Sequence, residues 1–194
     1  MHLCGFAFYC NNRKRQVGLH HYGNFLNEDF GQFIVYDSPG PDARMIGIEY
    51  VVTERLFATF SEEEQKYWHS HSYDVESGSF FAPGIPDMIE KEIMQEVAAT
   101  YGKTFLLWQV DRGDPLPFGP PQLMMVANGN GQWSDTLYEQ RAQEMKCKKS
   151  DFLERRKGMT FPPRHPGSDA WSRGEAIDLH VVPLEEKTKD PSAT

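Results

Sequence analysis

The sequence is poor in cysteine, and this excludes a disulfide-rich extracellular scaffold. Its 194 residues include three cysteines, Cys4, Cys10 and Cys147, an odd number without the spacing of a zinc site. Thiols this sparse are typical of reduced proteins in the cytosol. The first ten residues also lack the cationic start and continuous aliphatic stretch of a secretory signal. We therefore expect a cytoplasmic protein.

Long apolar runs and an excess of positive charge are absent too. The longest apolar runs, at residues 33–36 and 104–108, fall far short of the roughly 20 residues that a membrane-spanning helix needs. Twenty lysines and arginines stand against 28 acidic residues, which gives a formal net charge of −8. Because phosphate contacts need clustered positive charge, this balance argues against nucleic-acid binding. The sequence predicts no transmembrane segment and no nucleic-acid partner.

Common catalytic signatures are missing as well, while material for a hydrophobic core is plentiful. The chain has no P-loop, no Rossmann fingerprint and no Gly-x-Ser-x-Gly nucleophile elbow. Hydrophobic residues make up 39% of the chain and aromatic residues 13%, enough to fill one core at this length. We expect a single domain over residues 1–183 and a disordered tail over residues 184–194.

The apolar periodicity predicts an α+β fold, with a mostly antiparallel sheet or partial barrel, a few helices and an irregular C-terminal tail. Helical spacing is strongest over residues 87–101, and Ser61 with Glu64 forms a capping-box pattern before another helix. Further helical stretches are predicted at residues 53–60 and within residues 134–156. Strand patterns occur at residues 2–9, 32–36, 45–52, 78–86, 103–110, 122–127 and 176–182.

Residues 68–78 carry the most informative side chains, two histidines followed by two carboxylates. In an extended strand residues i and i+2 leave the same face, so His69 and His71 can converge on one point. Asp74 or Glu76 would add a carboxylate oxygen, as a metal centre requires. The spacing His-x-His-x4-Glu resembles the first metal motif of cupin barrels, but the later histidine motif that completes a cupin site is not found.

Upstream histidines offer another completion of this site. The run His20-His21-Tyr22 and His2 lie in segments predicted to be strands or strand edges, which can pack against the histidine motif and supply further nitrogens. Such a set would suit Zn, Fe or Mn and leave a position for substrate or water, with Tyr73 and Glu76 as proton-transfer candidates. The alternative is that these histidines only form hydrogen bonds to the backbone or lie half exposed.

Two other segments have functional and structural interpretations. Residues 111–114, Asp-Arg-Gly-Asp, favour a tight turn over a catalytic loop, because Asp and Gly are typical turn residues. Residues 118–125 combine rigid proline with soft methionine, a composition that suits either core packing or an adaptable interaction surface.

Several segments, taken in order over residues 2–132, form a recognisable series. They are Arg15-Gln-Val, His20-His21-Tyr22, Tyr36-Asp-Ser-Pro39, Ile46-Gly-Ile-Glu-Tyr50, Trp68-His-Ser-His71, Tyr101-Gly-Lys-Thr104, Trp108-Gln-Val-Asp-Arg-Gly-Asp114 and Leu116-Pro-Phe-Gly-Pro-Pro-Gln-Leu-Met-Met125. Together these segments closely resemble the oil body-associated protein family. That family is known from plant seed oil bodies, so the resemblance implies association with the lipid-droplet surface, or handling of a hydrophobic small molecule, without a membrane-spanning hairpin.

The family pattern also changes which residues we expect to bind a metal. In that pattern a glutamate usually stands at the position of Asp74, a lysine often at Glu76 and a histidine often at Ala7. The cupin-like glutamate is therefore not a family feature. The ligands to expect are His21, His69, His71 and Asp74, and a metal-dependent enzyme, hydrolytic or oxidative, is the alternative to a lipid-droplet function.

Overall fold

Six antiparallel strands close into a barrel in the computed structural model, which describes residues 1–180 and 182–183. The strand order is β4-β3-β2-β1-β7-β6, and β6 pairs back to β4 to complete the ring. A two-residue strand, β5, adds to β6 at one mouth of the barrel. The strands are β1 (His2–Tyr9), β2 (Asn12–Phe25), β3 (Phe30–Tyr36), β4 (Met45–Thr53), β5 (His69–Ser70), β6 (Thr100–Leu106) and β7 (Gln122–Met125).

Six helices accompany the strands in the described residues, four of them between strands and two after the last strand. Ser61 caps α2 by accepting a hydrogen bond from the backbone N–H of Glu64, the half of the capping box that the sequence predicts. The helices are α1 (Glu54–Phe57), α2 (Glu62–Gln65), α3 (Ser72–Glu76), α4 (Asp87–Val97), α5 (Asp135–Met145) and α6 (Lys149–Arg155), with short 3-10 turns at Val110–Arg112 and Ala170–Arg173.

The barrel interior is apolar at one end and is closed by helices at the other. Leu19 and Val35 pack with other aliphatic side chains at the apolar end. At the opposite mouth, Leu3 and Val51 pack against residues of α3, α4 and the loop that joins them. Because successive residues in a strand face opposite sides, His21 points into the barrel while His20 points outward. Polar side chains such as His21 therefore lie between two apolar layers.

The outer surface of the barrel is covered on one side only. Phe6 and Phe8 of β1 are covered by Trp133, Leu137 and Trp171. On the outer side of β2, β3 and β4, in contrast, apolar side chains remain accessible. We call this surface the apolar sheet face. Its members are Tyr22, Ile34, Met45, Ile48 and Tyr50, of which all but the half-buried Ile48 are exposed.

The α+β class and most predicted elements are confirmed, but one helix and one strand have other bounds, and two predicted strands are not formed in the described residues. The helix predicted over residues 87–101 ends at Val97, and β6 already begins at Thr100 and ends at Leu106. Residues 78–86 form no strand but contribute one isolated bridge, from Phe81 to Cys4. Residues 176–180 are not a strand, because a closed barrel offers few free edges. The predicted disordered tail, residues 184–194, lies outside the described residues.

Candidate metal centre

Four buried side chains converge inside the barrel. The carboxylate of Glu49, on β4, lies between histidines from β2 and from the segment that begins with β5. Its Oε2 is 3.0 Å from Nε2 of His21, and its Oε1 is 3.3 Å from Nε2 of His69 and 3.4 Å from Nε2 of His71. The exposed fraction of these four side chains is between 2% and 4%. The cluster is therefore enclosed and shielded from bulk water.

Gly102 leaves the space on which three of these side chains converge. It is the residue of β6 that pairs with His69. A Cβ atom added there would lie 2.5 Å from Nε2 of His69, 2.7 Å from Nε2 of His71 and closer still to Oε1 of Glu49. Any residue larger than glycine would fill this space. The sequence thus keeps a small void where three possible ligand atoms meet.

A hydrogen bond fixes which nitrogen of His71 faces Glu49. The hydroxyl of Thr100 donates to the carbonyl oxygen of Val97 at 2.7 Å, so it accepts from Nδ1 of His71 at 2.8 Å. In the neutral imidazole the lone pair is then on Nε2, which faces Oε1 of Glu49. A lone pair and a carboxylate oxygen repel each other unless a proton or a cation lies between them.

The electrostatics of the cluster favour a cation. Burial lowers the pKa of both His21 and His71, although Glu49 opposes the shift. Burial alone would raise the pKa of Glu49, but the surrounding imidazoles, His21 first among them, hold that pKa well below its usual range. Thr104 adds a hydrogen bond to Oε1 of Glu49 at 2.9 Å. A carboxylate that stays charged, beside His21 and His71 whose protonation is disfavoured by burial, forms a negative, nitrogen-rich site.

The spacing of the ligand atoms fits a small transition-metal ion. Ligands bound at about 2.0–2.1 Å to a tetrahedral ion lie about 3.3–3.4 Å apart. The distances from Oε1 of Glu49 to Nε2 of His69 and His71 are 3.3 and 3.4 Å. These three residues can hold Zn, Fe or Mn, while His21 keeps the second carboxylate oxygen in place.

Comparison with known proteins identifies the family. The model of the family described as "Protein of unknown function (DUF1264)" matches residues 1–160. Two maize relatives, "Oil body-associated protein 1A" and "Oil body-associated protein 2A" of Zea mays, are 40% and 41% identical to the chain. The alignments cover 96% and 98% of this chain, and 79% and 77% of those relatives. The chain belongs to the oil body-associated protein family.

Another relative in this family is "Oil body-associated protein 1B" of Arabidopsis thaliana, which is 38% identical over 94% of this chain and 77% of its own length. No solved structure matches the chain. The family match includes all four residues of the cluster, since it extends to residue 160. It confirms the resemblance seen in the sequence. Among the helices described, none has the length and apolar character to span a bilayer.

The structure brings together three of the four metal ligands expected from the family pattern and places the fourth elsewhere. His21, His69 and His71 meet at Glu49, whereas the carboxylate of Asp74 accepts a hydrogen bond from the hydroxyl of Ser79 at 2.9 Å. Burial raises the pKa of Asp74 well above its usual range. The extended geometry stops at His71 because α3 begins at the next residue, and the helix turns Asp74 away from the histidines.

The two residues expected to transfer protons also lie apart from the cluster. The hydroxyl of Tyr73 donates a hydrogen bond to the side-chain oxygen of Asn130 at 3.1 Å. Glu76 is exposed at the end of α3. Neither side chain contacts the histidines in this part of the fold. Both therefore lack the position that their expected role requires.

Glu49 and Gly102 are the members of the site that the sequence analysis missed. Glu49 lies in an otherwise apolar strand. Because alternate residues of a strand share one face, Glu49 faces the interior together with Gly47 and Val51. Burying a carboxylate on the inward face of a strand costs free energy unless the carboxylate is paired. The position of Glu49 in the strand pattern could therefore have identified it as a member of the site. Ala7 packs in the apolar end of the barrel and lies outside the cluster.

Residues 75–80, which we call the cover segment, close the mouth of the barrel over the cluster. The ring of Phe80 stacks on His71 with centroids 5.1 Å apart and meets His21 edge-on at 5.5 Å. Arg141 of α5 donates hydrogen bonds to the carbonyl oxygens of Gly78 and Ser79, at 3.0 and 2.9 Å. The cover segment is thus tied to a helix outside the barrel.

A buried ion pair holds the cover segment from its other side. The guanidinium of Arg156 forms two hydrogen bonds of 2.6 Å with the carboxylate of Glu90 on α4. Its Nε donates to the carbonyl oxygen of Val75 at 3.1 Å, and Nη2 donates to that of Phe80 at 3.3 Å. Arginine forms such planar, paired contacts well. Access to the cluster through this mouth would require these contacts to break.

Proposed function

We propose that this protein attaches to the surface of lipid droplets through the apolar sheet face. The observation that carries the proposal is the exposure of apolar side chains there: 37% for Tyr22, 46% for Ile34, 48% for Met45 and 38% for Tyr50. None of these residues carries a charge. Contiguous exposed apolar surface usually marks a site of interaction. The names of the family's plant relatives, which place those proteins at oil bodies, support the same partner.

The strand register makes the apolar side chains of this face contiguous. Tyr22 on β2 pairs with Ile34 on β3, and Ile34 pairs with Ile48 on β4. Tyr50 lies two residues beyond Ile48 on the same side of β4, and its ring stacks on Phe30. The result is a shallow apolar surface. Such a surface suits the boundary between lipid headgroups and acyl chains, where apolar side chains insert without crossing the layer.

The proline-and-methionine stretch at residues 118–125 is a weaker candidate for this contact. Met124 and Met125 are fully buried in the core, which contradicts the surface interpretation for them. The large apolar side chains that remain exposed here are Phe118 within the stretch and Leu116 just before it. Two separated side chains provide less area than the sheet face. The lipid contact is therefore assigned to β2, β3 and β4.

Flotation with artificial droplets, made of a triacylglycerol core and a phosphatidylcholine monolayer, tests this proposal. Changing Ile34 and Tyr50 to Glu should lower the partition coefficient by at least about tenfold, since each lost apolar side chain is worth about 1.5–3 kcal/mol. The matched control changes Met88 and Ile89 on α4, which are 77% and 49% exposed, to Glu. The control should float like the wild type. Equal flotation of both variants would contradict the proposal.

A second candidate function is metal binding, and the convergence of Glu49, His69 and His71 at Gly102 is the observation that favours it. We propose that these residues hold one Zn, Fe or Mn ion. A catalytic metal needs an open coordination position, and structural sites are closed. Three protein ligands leave such a position open here, but the cover segment encloses the cluster, so the substrate of a hydrolytic or oxidative enzyme would reach the ion only after that segment opens.

Metal analysis of protein purified without a histidine tag tests this second function. We expect the metal content to fall by about one ion per chain, the ion of this cluster, when His69 and His71 are both changed to Ala. The control is His180→Ala, because His180 is exposed and lies outside the cluster. A folded wild type that carries no metal and takes up none of the three ions would contradict the proposal.

A further inference from the structure

A second cluster of metal-ligand type lies on the outer side of the barrel, between β1 and β2. The Sγ atom of Cys4 is 3.3 Å from Nε2 of His2 and 3.1 Å from Nδ1 of His20. The two imidazole nitrogens are 3.2 Å from each other. The three atoms form a nearly equilateral triangle. Cys4 and His20 are buried, and His2 is half-buried.

The strand register builds this triangle from local geometry. Cys4 lies directly opposite His20 in the antiparallel pair of β1 and β2. His2 is two residues before Cys4, so its side chain leaves β1 on the same side. The ring of His2 is held in place by stacking on Tyr22, with centroids 4.2 Å apart. Each ligand atom is thus positioned by the sheet itself and by its neighbours.

A carboxylate fixes the orientation of His20 in the way that is typical of metal-bound histidine. Nε2 of His20 lies 3.1 Å from the Oε2 atom of Glu144 on α5. Because a carboxylate accepts and does not donate, the hydrogen is on Nε2, and Nδ1 of the neutral ring offers its lone pair to the triangle. Carboxylate–histidine–metal arrangements of this kind orient the ring and raise the basicity of the ligand.

Hydrogen bonds alone do not account for the triangle. Nδ1 of His20 has no hydrogen to give, so the thiol of Cys4 and the ring of His2 supply at most two hydrogens for three contacts of 3.1–3.3 Å. One pair of atoms is left in close contact without a hydrogen between them. An ion bound at about 2.0–2.3 Å from each atom would lie just outside the plane of the triangle and satisfy all three.

The cluster also has a route to solvent that the inner cluster lacks. A cavity of about 250 Å³ is lined by Cys4, His20 and Glu144, together with residues of β1, β2 and α5. An ion can therefore reach the thiol and the imidazole of His20 without opening the barrel. The two clusters lie on opposite sides of β2, since His20 and His21 are adjacent residues of one strand.

We propose that His2, Cys4 and His20 form a second metal site, selective for a borderline or soft ion such as Zn²⁺ or Cu⁺. Thiolate sulfur favours these ions over the harder Mn²⁺ and Mg²⁺. Binding replaces the thiol proton of Cys4, which is released to solvent, with a sulfur–metal bond. The site is independent of the Glu49 cluster, whose ligand atoms are nitrogen and oxygen only.

Titration of the untagged protein with Co²⁺ tests this site. It gives an absorption signal that requires a sulfur ligand, and the Glu49 cluster contains none. A thiolate bound to Co²⁺ gives a ligand-to-metal charge-transfer band in the near ultraviolet. We expect the band to saturate at one equivalent, and to be lost in Cys4→Ser and in His20→Ala. It should persist in a Cys10→Ser, Cys147→Ser variant and in a His69→Ala, His71→Ala variant.

Competition then identifies the ion. Displacement of the band by one equivalent of Zn²⁺ assigns the site to zinc, and displacement by Cu⁺ alone assigns it to copper. Because Cys4→Ser differs by one atom, circular dichroism of that variant should match the wild type, which separates loss of binding from loss of folding. A wild type without the band, or a band that survives in folded Cys4→Ser protein, would overturn the proposal, as would displacement by neither ion.

Discussion

Thr100 sets the protonation pattern of His71. Its hydroxyl gives its only hydrogen to the carbonyl of Val97 and accepts one from Nδ1 of the imidazole, so Nε2 is left to face Glu49. The arrangement resembles the outer hydrogen bonds that orient histidine ligands in metal sites. A residue of β6 that touches no candidate ion therefore governs which nitrogen is offered to it.

Replacing Thr100 with Val should weaken metal binding at the Glu49 cluster. The valine keeps the shape but removes the acceptor for Nδ1 of His71, so the ring can present either nitrogen. We expect the affinity for Zn²⁺ to fall about 10–100-fold, the usual cost of losing such a partner. A competition titration measures the change. Thr100→Ser restores the hydroxyl and should bind within a few-fold of the wild type; equal loss in both variants would contradict this role.

Replacing Gly102 with Ala should abolish binding at the same cluster. The added methyl group would occupy the space on which Glu49, His69 and His71 converge. We expect loss of the ion held by this cluster and a loss of about 1–3 kcal/mol in the free energy of unfolding, the usual range for overpacking. Gly18→Ala is the matched control on β2, because a Cβ there meets nothing within 4 Å. Normal metal content in Gly102→Ala would show that the ion lies elsewhere.

Breaking the Glu90–Arg156 pair should destabilise the protein strongly. Both side chains are almost fully buried, at 0% and 2% exposure, so Glu90→Gln leaves an uncompensated buried charge. We expect a cost of about 3–5 kcal/mol in the free energy of unfolding, measured by urea denaturation. The exposed pair of Glu154 and Lys157 is the control, and Glu154→Gln should cost less than about 1 kcal/mol. Similar costs for the two changes would refute this assignment.

The buried carboxyl of Asp74 should make stability depend on pH. Burial raises its pKa well above the usual range, so the folded state holds the proton more tightly than the unfolded state. The stability that this proton linkage contributes is fully present below the unfolded pKa, and it is lost as the pH rises through the folded pKa. Asp74→Asn has no proton to lose, so its Tm relative to the wild type should increase with pH.

Thermal unfolding followed upward from about pH 4, the ordinary pKa of an aspartate and so of the unfolded state, measures this difference. Glu76→Gln, on the same helix but exposed, should follow the wild-type profile. The side-chain amide that Asp74→Asn introduces can still accept the hydrogen bond from Ser79 through its oxygen. A Tm difference that stays constant or shrinks as the pH rises would contradict the prediction.

Local patterns predicted part of the site, and long-range pairing decided the rest. The convergence of His69 and His71 follows from the alternation of side chains over three residues, and it was predicted correctly. Glu49 enters the cluster only because β4 pairs with β6 in one register, which brings it opposite Thr104. No sequence pattern near residue 49 fixes that pairing, so the fourth member of the cluster was missed.

Two wrong predictions have the same physical cause. In each case an extended or helical segment ends earlier in the structure than the pattern of its residues suggests. Asp74 was placed with the histidines because the segment was treated as extended, yet α3 begins at Ser72. The helix over residues 87–101 was predicted too long because Ala98 and Tyr101 continue its apolar spacing. Apolar residues at these positions can be buried in a helix or in a strand, so their spacing does not separate the two. The pairing of Tyr101 with Val52 makes Tyr101 part of a strand.

Because His20 and His21 are adjacent residues of β2, both clusters depend on the register of this strand. A shift of β2 by one residue against β1 would move every side chain to the opposite side of the sheet. His21 would then leave Glu49 and His20 would leave Cys4, so both sites would be dismantled at once. An ion bound on each side of β2 would stabilise the same register of this strand. A chain that folded with β2 in the wrong register would bind neither ion.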